Sequence, residues 1–201
     1  MPPMAEQRTL KRIGVVVHQD RPLAAELAAR VIAWSEALGA TVMLTDEDAR
    51  AAGAPSLAVE SEQLVTADVV VAIGGDGTVL RAVGLVADAG VPLVALNAGQ
   101  LGYLADVAPE RAEWALDELA AGRGRLEERM RVQATVTPAA GDPQTPISIR
   151  TGLNEVVVER SLTGHTLRLR VYLDGEFFTS YVTDGMVVAT PWISVSSSAR
   201  I

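Results

Sequence analysis

The segment Ala67-Asp68-Val69-Val70-Val71-Ala72-Ile73 runs directly into Gly74-Gly75-Asp76-Gly77-Thr78 and then into a helical apolar pattern. No other feature of the chain constrains its fold as strongly. A short, continuous run of β-branched and small apolar residues is the mark of a strand buried on both faces of a parallel sheet. Parallel strands need a crossover, and one follows at once. A helix is expected from Thr78 to about Ala89, closed by Gly90, and Val91-Pro92-Leu93-Val94-Ala95-Leu96-Asn97 returns as a strand. The crossover of such a βαβ unit is right-handed.

The same grammar is written upstream. Ile13-Gly14-Val15-Val16-Val17-His18 reads as a first buried strand. From Pro22, Leu23, Leu27, Ala28, Val31, Ile32 and Leu38 recur at helical spacing until Gly39, a C-terminal stop signal. Ala40–Leu44 reads as a second strand, and the Ala-, Asp- and Glu-rich stretch after it matches no template. Glu110 to Gly122 is expected to form a further amphipathic helix through Ala112, Ala115, Leu116 and Leu119, and Gly122-Arg123-Gly124 reads as a boundary. Beyond Arg131 the apolar period drops to two: Val132, Ala134 and Val136, then Leu153–Val158, then Leu167, Leu169, Val171 and Leu173. Asp174-Gly175 between two alternating runs is a hairpin signal. The fold class is therefore an α/β N-terminal domain, residues 1–124, with a parallel sheet and a glycine-rich phosphate loop. An incomplete all-β domain, residues 125–201, follows it as a partial β-sandwich that binds substrate.

Bulk properties narrow the partners. A net charge of -8 opposes nucleic acid and anionic membranes, so any phosphate site must be local. With no cysteine, disulfides and thiolate metal sites are excluded. The opening MPPMAEQRTLKR lacks the apolar stretch of a signal peptide and no run reaches membrane length, so a cytoplasmic protein is expected.

Three glycines around Asp76 let backbone amides approach a ligand with no Cβ in the way. The start of the following helix adds its positive end, and together these make an anion site. No Gly-Lys-Ser/Thr follows, so this is not a Walker A loop, and the spacing is not that of the dinucleotide fingerprint. An Asp in such a loop suits proton acceptance from a substrate hydroxyl while ATP phosphates lie across the amides. The competing structural role for Asp76 is that of a helix N-cap.

Gly74-Gly75-Asp76-Gly77-Thr78 with Leu80-Arg81, Asn97-Ala98-Gly99-Gln100-Leu101-Gly102-Tyr103-Leu104, Asn154-Glu155-Val156, and Asp184-Gly185 within Tyr181–Pro191 follow one another in order. These blocks resemble the successive signatures of NAD kinases over about Arg12 to Pro191. The glycine loop alone also resembles that of diacylglycerol and sphingosine kinases and of phosphofructokinases, so the Asn-Glu and Asp-Gly blocks carry the discrimination. The resemblance implies a kinase that phosphorylates the adenosine 2′-hydroxyl of NAD to give NADP. ATP or polyphosphate would be the donor, Mg²⁺ or another divalent cation the required ion, and a homo-oligomer the state of the family.

Carried over by position, Asp76 is the implied catalytic acceptor, and Gly74, Gly75, Gly77 and Thr78 form the substrate and phosphate loop. Arg81 is implied to face nucleotide phosphate. Asn154 and Glu155 are implied to hydrogen-bond NAD. His165 falls where some relatives contact ligand, and Asp184 matches an acidic residue near the nicotinamide end. Asn97 and Gly99–Tyr103 are implied to shape an interdomain cleft. No residue is assigned as a metal ligand.

After Ala189-Thr190-Pro191 the family pattern continues with a Thr-Gly-Ser-Thr-Ala-Tyr loop, whereas this chain reads Trp192 to Ile201 with a Ser196-Ser197-Ser198 run. The expectation from this departure is a truncated or frameshifted product whose uncovered β-domain is prone to aggregate. Two alternatives follow: an inactive nucleotide-binding remnant that lacks the complete substrate site, and a lipid kinase. The acidic balance and the Asn154-Glu155 block disfavour the second.

Overall fold

The computed structural model describes residues 10–99, 102–138, 148–161 and 165–191, and the backbone of 199–200. Gln100 and Leu101 of the Asn97–Leu104 block, and the stretch from Trp192 through the serine run, lie outside the described residues. The chain divides into two compact units, Met1–Glu128 and Arg129–Ile201.

The first unit is built on a parallel sheet of β1 (Arg12–Val17), β2 (Thr41–Met43), β3 (Val69–Gly74) and β4 (Leu93–Asn97), in the order β2-β1-β3-β4. Successive strand residues point to opposite faces, and the packing divides accordingly. Ile13, Val15 and Val17 with Val69, Val71 and Ile73 join one apolar cluster, which also takes residues of α1 (Pro22–Ala37) and α4 (Ala112–Ala120). Val16, Val70 and Ala72 join a second cluster with Val79, Ala82 and Val86 of α3 (Asp76–Val86). The sheet is thus covered on both faces, which is why its strands read as unbroken apolar runs rather than alternating ones.

α1 starts at Pro22, whose fixed φ and missing N–H suit the first helical turn. Its buried stripe is Ala24, Leu27, Ala28 and Val31, the three-and-four spacing of a one-sided helix. Pro92 has no N–H to give to the ladder, and β4 begins at Leu93 rather than at Val91. The stretch between β2 and β3 is structured: α2 (Asp46–Ala51) is followed by two 3-10 turns over Pro55–Leu57 and Ser61–Thr66. These elements are fixed by local caps. The Thr45 hydroxyl accepts the Asp48 amide, and Glu60 and Gln63 cap each other's backbone reciprocally.

Two crossovers leave the sheet centre in opposite directions. β1 runs through α1 to β2 on one side, and β3 runs through α3 to β4 on the other. The topological switch point therefore lies between β1 and β3, where open α/β sheets place ligands at the carboxyl ends of the strands. His18 follows β1 at that edge, and Gly75-Asp76 follows β3.

The second unit is all β. β5 (Val132–Val136) pairs antiparallel with β6 (Ser148–Gly152), and β7 (Glu155–Glu159) lies between β10 (Gly185–Ala189) and the backbone of β11 (Ala199–Arg200). β8 (Leu167–Leu173) and β9 (Glu176–Thr183) form the expected hairpin. Its turn residues Asp174 and Gly175 have φ of 51° and 85°, the left-handed pair that a two-residue turn demands. Among the described residues of this unit Val156 is the buried apolar side chain, while Phe178, Val182 and Val187 are each more than half exposed.

Candidate active site

The loop between β3 and α3 is shaped from both ends. Gly74 closes β3 opposite Asn97, and a Cβ on it would strike the Thr78 side chain, which folds back and is buried. Gly75 is the N-cap of α3 and Asp76 its first residue, so the helix starts two residues earlier than the sequence reading places it. Asp76 does not cap its helix. Its carboxylate instead reaches across to the turn after β4, where Oδ2 accepts the amide of Tyr103 at 3.1 Å and Oδ1 that of Leu104 at 2.9 Å. Each oxygen takes one N–H and keeps acceptor capacity for a further proton.

The remaining glycines behave differently. Neither Gly75 nor Gly77 has a left-handed φ, and a Cβ on either would meet nothing within 4 Å. The fold itself gives no reason for them, and what they leave is bare backbone beside Asp76 at the first turn of a helix. By contrast a Cβ on Gly102 would collide with the Asp76 carboxylate. Asn97 is buried and turns the chain after β4 by accepting the Gly99 amide at 2.8 Å. Tyr103 projects its ring to solvent beside Asp76, with 76 % of its surface exposed.

Arg81 lies one and a half turns along α3. Its Nη1 donates to Asp48 Oδ2 at 3.1 Å and its Nη2 to Asp48 Oδ1 at 2.6 Å, and Nη2 also donates to the Val17 carbonyl at 2.7 Å. Asp48 is fully buried and also accepts the Val17 amide at 2.7 Å and the Thr45 hydroxyl at 2.5 Å. The guanidinium that the resemblance directs at phosphate is thus held on a buried carboxylate. Asp48 lies in the Ala-, Asp- and Glu-rich stretch that matches no template, so nothing in the sequence singles it out. The same holds for Arg21, whose Nη1 lies 3.4 Å from the Ala98 carbonyl at the switch-point edge.

In the second unit Asn154 and Glu155 are both buried at the start of β7. The Asn154 carbonyl accepts the Thr190 amide at 2.7 Å, and the Thr190 hydroxyl donates to Leu153 O at 3.0 Å. Asp184 sits at the other end of the same ladder, where Gly185 pairs with Glu159 while Ala189 pairs with Glu155. Four residue steps separate the two ends, about 13 Å at the rise of a strand. Asp184 and His165 are instead brought together by Arg160, whose Nη1 donates to Asp184 Oδ1 at 2.7 Å and to the His165 carbonyl at 3.2 Å. His165 itself is exposed. Among the described residues no three His, Asp or Glu side chains converge as a metal site, and no helix is long and apolar enough to cross a membrane.

A parallel α/β sheet with a glycine-rich loop and an open helix N-terminus at its switch point is the architecture on which open α/β proteins bind phosphate-bearing ligands. The comparisons refine this. Residues 13–124 match the ATP-NAD kinase N-terminal domain, and the chain belongs to the NAD kinase family. NAD kinases of Moorella thermoacetica and Symbiobacterium thermophilum are 36 % and 33 % identical to it, each over 94 % of the chain but over only 59 % and 66 % of their own lengths. The chain thus spans about three fifths to two thirds of these relatives. Among solved structures, yeast NADH kinase complexed with NADH superposes with a TM-score of 0.80 at 22 % identity, covering 92 % of this chain and 59 % of that one. The Archaeoglobus fulgidus NAD kinase in complex with ATP gives 0.61 at 23 %, covering 89 % and 60 %. Both share the two-part fold of an α/β domain followed by a β-rich region.

Proposed function

We propose that this chain carries the phosphoryl-transfer machinery for converting NAD to NADP, with ATP as donor and Asp76 as proton acceptor. The observation that carries the reading is the Asp76 carboxylate, held by two amides at the switch-point edge beside Gly75 and Gly77, whose missing side chains face open space. Family membership supplies the substrate class: the relatives it matches are named NAD kinases. In the reaction the adenosine 2′-oxygen attacks the γ-phosphorus of ATP, its proton passes to an Asp76 oxygen, and the bond to the β-phosphate oxygen breaks to release ADP. Such transfers depend chiefly on positioning and charge stabilisation. The amides of the Gly74–Thr78 loop and the start of α3 provide both for the phosphate oxygens.

Mg²⁺ belongs to the same reading, and would supply charge neutralisation to the donor phosphates. This ion is commonly held by one or two carboxylates together with substrate phosphates and water. Asn154 and Glu155 are assigned to ribose hydroxyls, Asp184 to the nicotinamide end, and His165 to a ligand contact. A polyphosphate donor, a homo-oligomeric state and a cytoplasmic location complete the proposal.

The test is incubation of the purified chain with Mg²⁺, NAD and either ATP or polyphosphate, with NADP measured enzymatically and NAD binding by calorimetry. NADP formation that Asp76→Asn lowers at least a hundredfold, with NAD binding retained, is the expected result. NAD binding without turnover identifies a nucleotide-binding remnant. Phosphorylation of a diacylglycerol in place of NAD would overturn the assignment.

A further inference from the structure

We infer that Asp48 is a positioning residue for the Gly74–Thr78 loop, acting through Arg81. The inference rests on the phosphoryl-transfer reading above and extends it to a residue outside the signature motifs. The loop is flanked by Ile73 on β3 and by the first turn of α3. Ile73 pairs with Val17, the last residue of β1, and its carbonyl accepts the His18 amide at 2.9 Å. Val17 is gripped on both its polar groups, its N–H by Asp48 and its C=O by Arg81. Arg81 in turn is fixed to α3 five residues after Asp76, about 7.5 Å along the helix axis, and bonded in two places to Asp48. One buried carboxylate therefore ties the end of β1, which is paired with β3, to the body of α3, and the loop is the segment that joins β3 to α3.

The chemistry of the pair argues for geometry over bulk stability. An ion pair with one fully buried member costs desolvation that its attraction roughly repays, so well-packed apolar residues would hold the elements together as well. What apolar contact cannot supply is direction. A planar guanidinium forked onto a carboxylate fixes both distance and angle, and errors of about 1 Å in a reacting group cost roughly a hundredfold in rate. With Asp48 holding the guanidinium, Arg81 orients the helix that carries Asp76 and leaves the phosphate oxygens to the loop amides.

The test compares Asp48→Asn, Arg81→Met and the double variant, each studied well below its own unfolding temperature so that rates refer to folded protein. Asp48→Asn keeps the shape and one acceptor oxygen but opposes an amide N–H₂ to the guanidinium. The expected result is a fall in kcat for NADP formation of roughly ten- to a hundredfold with KM for ATP within about twofold. Amide hydrogen exchange at Gly75–Thr78 should accelerate while Val70–Ala72 stays protected. In the double variant the loss should not exceed that of the worse single variant, because both act through one connection. Wild-type kcat in folded Asp48→Asn would reduce the pair to a structural role and overturn the inference. Multiplying losses, with KM for ATP raised by Arg81→Met, would place Arg81 on phosphate directly and overturn it equally. If the wild-type chain forms no NADP, the proposed function fails by itself. The exchange experiment then decides alone: acceleration confined to the loop supports the inference, and unchanged loop exchange refutes it.

Discussion

Replacing Gly102 with Ala is the sharpest probe of how Asp76 is held. Gly102 has no left-handed φ, so the substitution introduces no backbone strain of its own. Its new Cβ would instead lie 2.8 Å from Asp76 Cγ and 3.1 Å from Oδ2, and nearer still to Oδ1. Carbon contacts relax to about 3.5–4.0 Å, so the carboxylate or the turn must retreat by about 1 Å. Such a retreat stretches the hydrogen bonds from Tyr103 and Leu104, now 3.1 and 2.9 Å, out of range. Bonds to a charged acceptor contribute about 1.5–3 kcal/mol each, but water replaces them at this open edge, and a stability loss of about 1–2 kcal/mol is expected. The catalytic loss should be larger. A reacting group displaced by about 1 Å costs roughly a hundredfold, or about 2.7 kcal/mol of barrier. The assay is steady-state NADP formation with thermal unfolding measured in parallel. A kcat within twofold of wild type would refute the claim that this turn positions Asp76. So would a Gly102→Ala/Asp76→Asn double variant whose losses multiply, since a turn that acts only through the carboxylate has nothing left to disturb once Asp76 is gone.

Three further outcomes test the rest of the molecule. Leu116→Ala removes a side chain buried between α4 and the sheet, and should destabilise the first unit by about 2–5 kcal/mol in urea unfolding while leaving the Asp76 loop chemically intact. Glu113 is hydrogen-bonded to Arg30 between α1 and α4, which holds its carboxyl below the usual range. A lowered folded pKa means stability that is present above the unfolded value of about 4.3 and is lost as pH falls through the folded one. Because both side chains are more than a third exposed, Glu113→Gln should cost under about 1 kcal/mol at pH 7, less at high salt, and progressively less as the pH of the unfolding titration is lowered below the unfolded value. Asn154→Leu keeps apolar bulk at a buried position at the start of β7, and is expected to weaken NAD binding at least tenfold by calorimetry. An unchanged dissociation constant would remove Asn154 from the proposed site.

What was legible in the chain divides along a physical line. β1, β3 and β4 announce themselves because a strand covered on both faces must be apolar throughout, and Gly90, at φ 68°, marks where α3 and its terminal turn must stop. The region between β2 and β3 was opaque because its turns are fixed by Thr45, Glu60 and Gln63 acting on neighbouring amides, and not by a repeating apolar face. Asp76 was identifiable as a residue, yet its environment was not. Its partners are the backbone N–H groups of Tyr103 and Leu104, and an amide has no letter in a sequence. Arg81 shows the complementary case. Its side chain was visible, but the carboxylate it bonds lies 33 residues away in a stretch that matches no template. The anion site proposed for the loop follows the same logic. A chain of net charge -8 offers phosphate no long-range attraction, so in the proposed function recognition falls to uncharged amides and a helix end. Those groups act only when the backbone is bare and correctly aimed. Gly75 and Gly77 provide the first condition, and the ties from Asp76 to the Tyr103–Leu104 turn and from Arg81 to β1 bear on the second.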